Sequence, residues 1–263
     1  MRKPKVIVLR TAGTNCDYET AFAFERVGAK VELIHINQII RKEKSILNYD
    51  ILAIPGGFTY GDDISAGKIF ANELKYRLKE EIEKFIKRRR PIIGICNGFQ
   101  VLVKSGLLPG DGFRQKVTLT YNDSGRFEDR WVYLKNQKSK SKKQKCIWTE
   151  NLPEIIELPV AHGEGKFVAS RETIEELKRN GQIVFQYVDE KGNLAGYPYN
   201  PNGSLENIAG ICDREGLILG LMPHPERHIE YLQHPRWVRE RRFGEGEGLQ
   251  IFRNGVIYAR KNI

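Results

Sequence analysis

Through the N-terminal part of the chain, short apolar runs alternate with longer stretches in which apolar residues recur at helical spacing. Residues 5–10, Lys-Val-Ile-Val-Leu-Arg, read as a buried strand, and the polar turn 11–17 leads into a helix over 17–27, with Asp17 as N-cap and Gly28 as its stop. A second strand is predicted at 30–36, a short helical stretch at 37–47, and a third strand at 50–55 that ends in Gly56-Gly57-Phe58-Thr-Tyr-Gly61-Asp-Asp. A charged amphipathic helix over 73–90 precedes a fourth strand beginning at Pro91. Repeated strand–helix alternation with crossover-length connections implies an α/β fold with a doubly wound, mostly parallel sheet. Ligands then belong at the C-terminal ends of its strands.

After Gly112 the pattern changes. Alternating segments at 117–121 and 131–134, then 146–148, read as antiparallel strands added at one side of the sheet. A helix is expected at about 172–180, a strand at 183–188 and a Gly/Pro/Asn-rich loop at 194–207. Residues 208–212 and 217–222 form a predicted hairpin about the turn 213–216, and its second strand runs into Pro223-His224-Pro225-Glu226-Arg227-His228. A helix-like stretch follows around 248–258. No repeat or composition shift separates a second unit, so residues 1–263 are expected to form one domain with a Lys-rich insert at about 135–145.

Composition narrows the function classes more than the fold. A chain of 263 residues can bury a sizeable core. No segment approaches the roughly 18 consecutive apolar residues of a membrane span, and the start is too short in its apolar part for a secretory signal. A cytoplasmic location without a membrane partner is expected. Lys and Arg number 43 against 33 Asp and Glu, a formal net charge of +10, which raises the question of a nucleic-acid partner. Six of the lysines fall within 135–145, where no apolar or aromatic residue is interleaved. That stretch reads as a solvated loop, and no nucleic-acid partner is expected. Cysteines 16, 96, 146 and 212 show no Cys-x-x-Cys pair and no spacing suited to zinc, so neither a disulfide framework nor a metal site is indicated.

The sharpest chemical signal lies in residues 91–106, where the period changes from strand to helix at Gly94-Ile-Cys96-Asn97-Gly98. Small residues on either side of a nucleophile let the chain turn tightly and project it above the next helix, whose N-terminus favours negative charge. The same pattern also fits a free cysteine buried at the end of a core strand. A cysteine nucleophile needs a base, and the base an orienting group. His224 follows an apolar strand, and Glu226, two residues on, shares its side in an extended segment. A loop histidine in contact with solvent is the plainer reading of His224. His224 and His228 have metal-ligand spacing but no third ligand, so no metal is expected. The Gly56-Gly57 turn can bring a backbone N–H close to the site, and Asn97, just after the cysteine, supplies a second N–H for an oxyanion.

Pro55-Gly-Gly-Phe-Thr-Tyr-Gly-Asp62, Gly94-Ile-Cys-Asn-Gly-Phe-Gln100, Pro159-Val-Ala-His-Gly-Glu-Gly165 and Met222-Pro-His-Pro-Glu-Arg227 resemble the flavodoxin-like class I (triad) glutamine amidotransferases. Within that class they resemble the glutaminase subunits, PurQ, of phosphoribosylformylglycinamidine synthase. The resemblance spans nearly the whole chain and implies a division of labour. Cys96 would attack the side-chain amide of L-glutamine, His224 would relay protons and Glu226 would hold His224. The Gly57 and Asn97 N–H groups would stabilise the oxyanion, with Phe58 and Gln100 near the bound glutamine. His162 and Glu164 match a motif of this subunit without a role that the residues disclose. The resemblance also implies that ammonia passes to a PurL-type synthetase subunit, together with a small PurS-type subunit. Since no phosphate-binding loop motif occurs here, ATP and Mg2+ are expected on that partner and no cofactor on this chain. A glutaminase serving a GMP or CTP synthetase is the alternative within the class. A hydrolase of the related cysteine-elbow α/β folds, which would not require Gln100 or the His-Pro-Glu spacing, a catalytically silent regulatory module and a basic RNA-binding protein are the alternatives outside it.

Overall fold

Runs of Ile, Leu and Val without a polar break can be buried on both faces of a sheet, which is how the central strands are used. In a computed structural model, which describes residues 2–139, 144–241 and 243–262, β1 (Lys5–Arg10), β2 (Lys30–His35), β3 (Ile51–Ile54) and β4 (Ile92–Ile95) alternate with α1 (Asp17–Arg26), α2 (Ile36–Ile40), α3 (Lys68–Arg77) and α4 (Lys79–Lys87). The chain continues through α5 (Asn97–Ser105), β5 (Val117–Thr120), β6 (Glu128–Asn136), β7 (Ile155–His162), β8 (Lys166–Ala169), α6 (Arg171–Asn180) and β9 (Ile183–Val188). It ends with β10 (Ile208–Cys212), β11 (Ile218–Leu221), a short α7 (Trp237–Glu240) and α8 (Leu249–Lys261).

Nine strands share one sheet in the order β2-β1-β3-β4-β11-β10-β9-β6-β7. The first five are parallel, and the remaining four add on antiparallel. This is the expected α/β architecture with antiparallel strands at one side, although the segment expected there at 117–121 pairs outside this sheet. Because β1, β3, β4 and β11 are parallel neighbours, their C-terminal ends lie side by side. That edge receives the turn 11–16, the Gly56-Gly57 turn, Cys96 and His224. A second sheet of two strands pairs β5 with β8. No helix among the described residues is long and apolar enough to cross a membrane.

The structure departs from the sequence reading in several places, each for a packing reason. The helix predicted over 73–90 is two helices that meet at Leu78, whose φ of −121° and ψ of 7° leave the helical region. Phe70, Leu74, Leu78, Ile82 and Phe85 keep an unbroken apolar spacing across the break, so the pattern carries no mark of it. Asp17 is the first helical residue rather than the cap: Cys16 holds the cap position, and the Asp17 carboxylate pairs with Arg10 at 3.0 Å. Residues 146–148 are not a strand. They enter a 3-10 turn (Ile147–Thr149), where Trp148 is wholly buried and donates its indole N–H to Leu217 O at 3.0 Å. The segment expected as an added strand is therefore a plug that locks α8 to the sheet, with Asn254 Nδ2 donating to Trp148 O at 2.9 Å. The insert begins as ordered structure: β6 runs to Asn136, and Lys135 Nζ donates to Gly192 O at 2.7 Å. Its centre, residues 140–143, lies outside the described residues.

Candidate active site

The elbow is built by close approach. Cys96 sits between β4 and α5 with φ +50° and ψ −105°, on the left-handed side of backbone space where a side chain is strained and where strain marks functional turns. A Cβ at Gly98 would lie 1.9 Å from Ile54 O, so only glycine lets the first turn of α5 rest on the end of β3. Cys96 is 5% exposed, and its Sγ lies 3.6 Å from Ala161 O. That contact brings the end of β7 over the cysteine, although β7 is the far strand of the sheet. A second tie, from His224 N to Pro159 O at 2.8 Å, holds it there.

His224 and Glu226 meet as expected, by a different local structure. The residues after β11 form a 3-10 turn (Pro225–Arg227), not an extended segment, and it sets His224 Nδ1 2.7 Å from Glu226 Oε1. Both residues are buried, and His224 Nε2 and Glu226 Oε2 have no hydrogen-bond partner among the described residues. Burial alone disfavours the charged imidazole, but the Glu226 carboxylate and the nearby sulfur of Cys96 outweigh it and hold the His224 pKa well above its ordinary value. A proton held on the ring beside a carboxylate is the state an acyl-transfer base must reach and then give up.

The Gly56-Gly57 turn is stitched to the turn after β1. Asn15 N and Cys16 N donate to Gly56 O at 3.4 and 3.2 Å, and Phe58 N donates to Gly13 O at 2.8 Å. Gly57 itself has φ +150°, and Asn97 is the first residue of α5, where first-turn N–H groups have no partner within the helix. The Asn97 side chain is the hub of a buried network: it accepts from Thr59 Oγ1 at 2.7 Å and donates to Asp62 Oδ1 at 3.1 Å and Gln100 Oε1 at 2.8 Å. Gln100 passes the chain on, donating to Glu164 O at 2.6 Å, and is itself 3% exposed. Phe58 stands at the rim, 46% exposed, with its ring 6.3 Å from that of Phe127.

His162 and Glu164, left without roles by their sequence, serve as anchors. His162 Nδ1 lies 3.1 Å from Asn122 Oδ1, which also accepts from Gly165 N, so this nitrogen carries the proton, and Asn202 Nδ2 faces Nε2 at 3.4 Å. Both ring nitrogens of a neutral imidazole are thus engaged. Burial, helped by the charge on His224, pushes the His162 pKa down to about 3. An unfolded chain takes up a proton at this histidine near pH 6.5 whereas the folded one does not, so the associated stability is present above that pH and lost as pH falls. Between pH 7 and pH 5 His162 is expected to remove about 2 kcal/mol of folding stability. Urea midpoints across that range should show a correspondingly shallower slope in H162Q, and parallel slopes would refute the assignment.

Glu164 closes the site from the other side. Its carboxylate accepts from Ala66 N at 3.3 Å and lies 3.7 Å from the Lys104 ammonium, which also donates to Ala66 O at 2.5 Å and Ser65 Oγ at 3.1 Å. Lys104, whose pKa burial pulls down, was invisible as a site residue because one lysine on an apolar helix carries no signal. Lys104→Met is expected to cost about 1–3 kcal/mol by orphaning these acceptors. The loss should appear in thermal unfolding, together with a rise in KM if the 58–67 segment loosens. Cys16 was also missed: its thiol, 1% exposed, lies beside His224 and Glu226.

A family model for the CobB/CobQ-like glutamine amidotransferase domain matches residues 3–259. The phosphoribosylformylglycinamidine synthase subunit PurQ of Dehalococcoides mccartyi is 49% identical over 264 residues, covering 99% of this chain and 100% of that protein. The subunit of the same name from Archaeoglobus fulgidus is 46% identical over 274 residues, covering 98% and 97%. Among solved structures, a chain in the structure of PurLQS from Thermotoga maritima matches with a TM-score of 0.74 at 30% identity, over 98% of this chain and 99% of that one.

Proposed function

The chain belongs to the CobB/CobQ-like glutamine amidotransferase family, and on that premise we propose that Cys96, His224 and Glu226 hydrolyse glutamine through a thioester. Its full-length relatives make it the glutaminase subunit of a phosphoribosylformylglycinamidine synthase, in purine biosynthesis. The observation that carries the assignment of residues is the strained cysteine elbow at the same sheet edge as the buried His224–Glu226 pair.

With its thiol proton passed to His224, the Cys96 sulfur attacks the side-chain carbonyl carbon of L-glutamine. The oxyanion that forms is met by the N–H groups of Gly57 and Asn97, each such donor being worth about 10²–10³-fold in rate. His224 then gives its proton to the nitrogen, the C–N bond breaks, and ammonia leaves. Water, deprotonated by the same imidazole, attacks the thioester and releases glutamate with Cys96 restored. Glu226 fixes the tautomer and favours the charged ring at both stages. Phe58 borders the entrance, and Gln100 shapes the glutamine pocket through Asn97 and the Glu164 carbonyl. All of this is carried by residues 1–263 acting as one amidotransferase domain, with the Lys-rich insert as its appendage.

Ammonia is consumed by a PurL-type synthetase subunit that holds ATP and Mg2+ and converts formylglycinamide ribonucleotide to formylglycinamidine ribonucleotide, with a PurS-type subunit completing the complex. The complex acts in the cytoplasm. The decisive experiment measures glutamate release by the purified chain with and without such a synthetase preparation, ATP and formylglycinamide ribonucleotide. A rise that needs all three supports the partner assignment. Stimulation only by a GMP or CTP synthetase would overturn it.

A further inference from the structure

We propose that Cys16, His224 and Glu226 form a binding site for a borderline-soft divalent cation of the Zn2+ type, whose occupancy competes with catalysis. The Cys16 Sγ, a ring nitrogen of His224 and a carboxylate oxygen of Glu226 all lie within 4.8 Å of one another, and all three side chains are buried. Two buried polar atoms here, His224 Nε2 and Glu226 Oε2, have no hydrogen-bond partner among the described residues. A thiol, an imidazole and a carboxylate are the donor types that Zn2+ takes in three-ligand sites, which keep a fourth position open. Tetrahedral Zn2+ with such bonds needs donor–donor separations of about 3.3–3.6 Å, so the His224 Nδ1–Glu226 Oε1 pair, 2.7 Å apart, must open to admit the ion while the Cys16 thiol closes on it.

The surroundings supply an outer shell. Arg227 Nη2 donates to Cys16 Sγ at 3.2 Å, and Arg227 Nε is held by Glu19 Oε2 at 2.9 Å. A guanidinium donor stabilises a thiolate without competing for the metal. On binding, the S–H proton and the proton shared by His224 and Glu226 pass to water as metal–sulfur and metal–nitrogen bonds form. No oxidation state changes. The imidazole can then neither accept the Cys96 proton nor donate to ammonia, so hydrolysis stops. The cation would reach the site by the route that admits glutamine to Cys96.

The inhibitory consequence rests on the proposed triad, but the binding does not, so the test has two arms. The first uses Co2+ as a spectroscopic probe of the full chain in a C96A background, which removes the nucleophile. A thiolate-to-cobalt charge-transfer band at one ion per chain is expected, and it should vanish in C16S/C96A. Its absence in C96A, or its persistence without Cys16, overturns the site. A circular dichroism comparison of the two variants keeps the reading independent of misfolding. The second arm titrates Zn2+ against glutamate release, each variant normalised to its own metal-free rate. C16S should need at least about tenfold more Zn2+ for half-inhibition, the loss of one good ligand. Equal sensitivity would place the inhibition at Cys96 alone and refute the proposal. If the first arm succeeds and no variant hydrolyses glutamine, the triad reading fails and the metal site stands.

Discussion

Cys96→Ala is expected to lower glutamine hydrolysis by at least about 10⁴-fold, because nucleophile and base act as a unit and removal of either forfeits the covalent route. His224→Ala should cost a similar factor, and the double variant little more than either alone. That non-additivity tests cooperation between the two residues rather than mere importance, since independent contributions would multiply. Glu226→Gln keeps the shape of the pair but offers an amide where Nδ1–H needs an anion, and a loss of about 10²–10⁴-fold is expected. Binding should be nearly untouched in Cys96→Ala, so the effect falls on kcat. The measurement is enzyme-coupled glutamate release with partner subunits present, alongside mass-spectrometric trapping of a glutamyl thioester in the wild-type chain. Residual Cys96→Ala activity above about one per cent of wild type would exclude Cys96 as the nucleophile, since positional effects alone do not leave so much.

What the sequence disclosed about this site follows from distance along the chain. The elbow is local: Gly94, Cys96 and Gly98 lie within five residues, and the change of period at the cysteine is the physical event of a strand turning into a helix. The pairing of His224 with Glu226 is local too, and reads correctly even though the turn that makes it is 3-10 rather than extended. Contacts between distant segments left no such trace. Cys16 reaches His224 across 208 positions only because β1 and β11 end on the same sheet edge, and a free cysteine in a polar turn has no periodicity to betray it. The anchoring of Glu164 to Ala66 and Lys104 likewise needs β7 to curl over the mouth of the site, which strand patterning does not encode. The break at Leu78 is illegible for the opposite reason: both helices show the same apolar stripe, so periodicity runs straight through it. The lysines of the insert read as one solvated run, yet Lys135 is tied to Gly192 O and Lys138 to Cys146 O, since long side chains can bridge to backbone carbonyls while their charge stays near water.

Gly98→Ala should destabilise the fold by more than about 4 kcal/mol, the range reserved for overpacking that no side-chain motion relieves. The added carbon would sit 1.9 Å from Ile54 O and 2.7 Å from Ile54 C, and both are backbone atoms of a central strand. Relief requires α5 to lift away from β3 by more than an ångström, and every residue of α5 is buried, with Phe99, Val101, Leu102 and Val103 wholly enclosed. The cost therefore spreads through close-packed core contacts instead of ending at one atom. Gly112→Ala provides the control: Gly112 has φ +64° but nothing within 4 Å of a would-be Cβ, so only the backbone preference is lost, about 1–2 kcal/mol. Urea midpoints of the two variants should thus separate clearly. Coincident midpoints would mean that α5 yields easily, and an α5 that yields could not hold Cys96 in its strained turn.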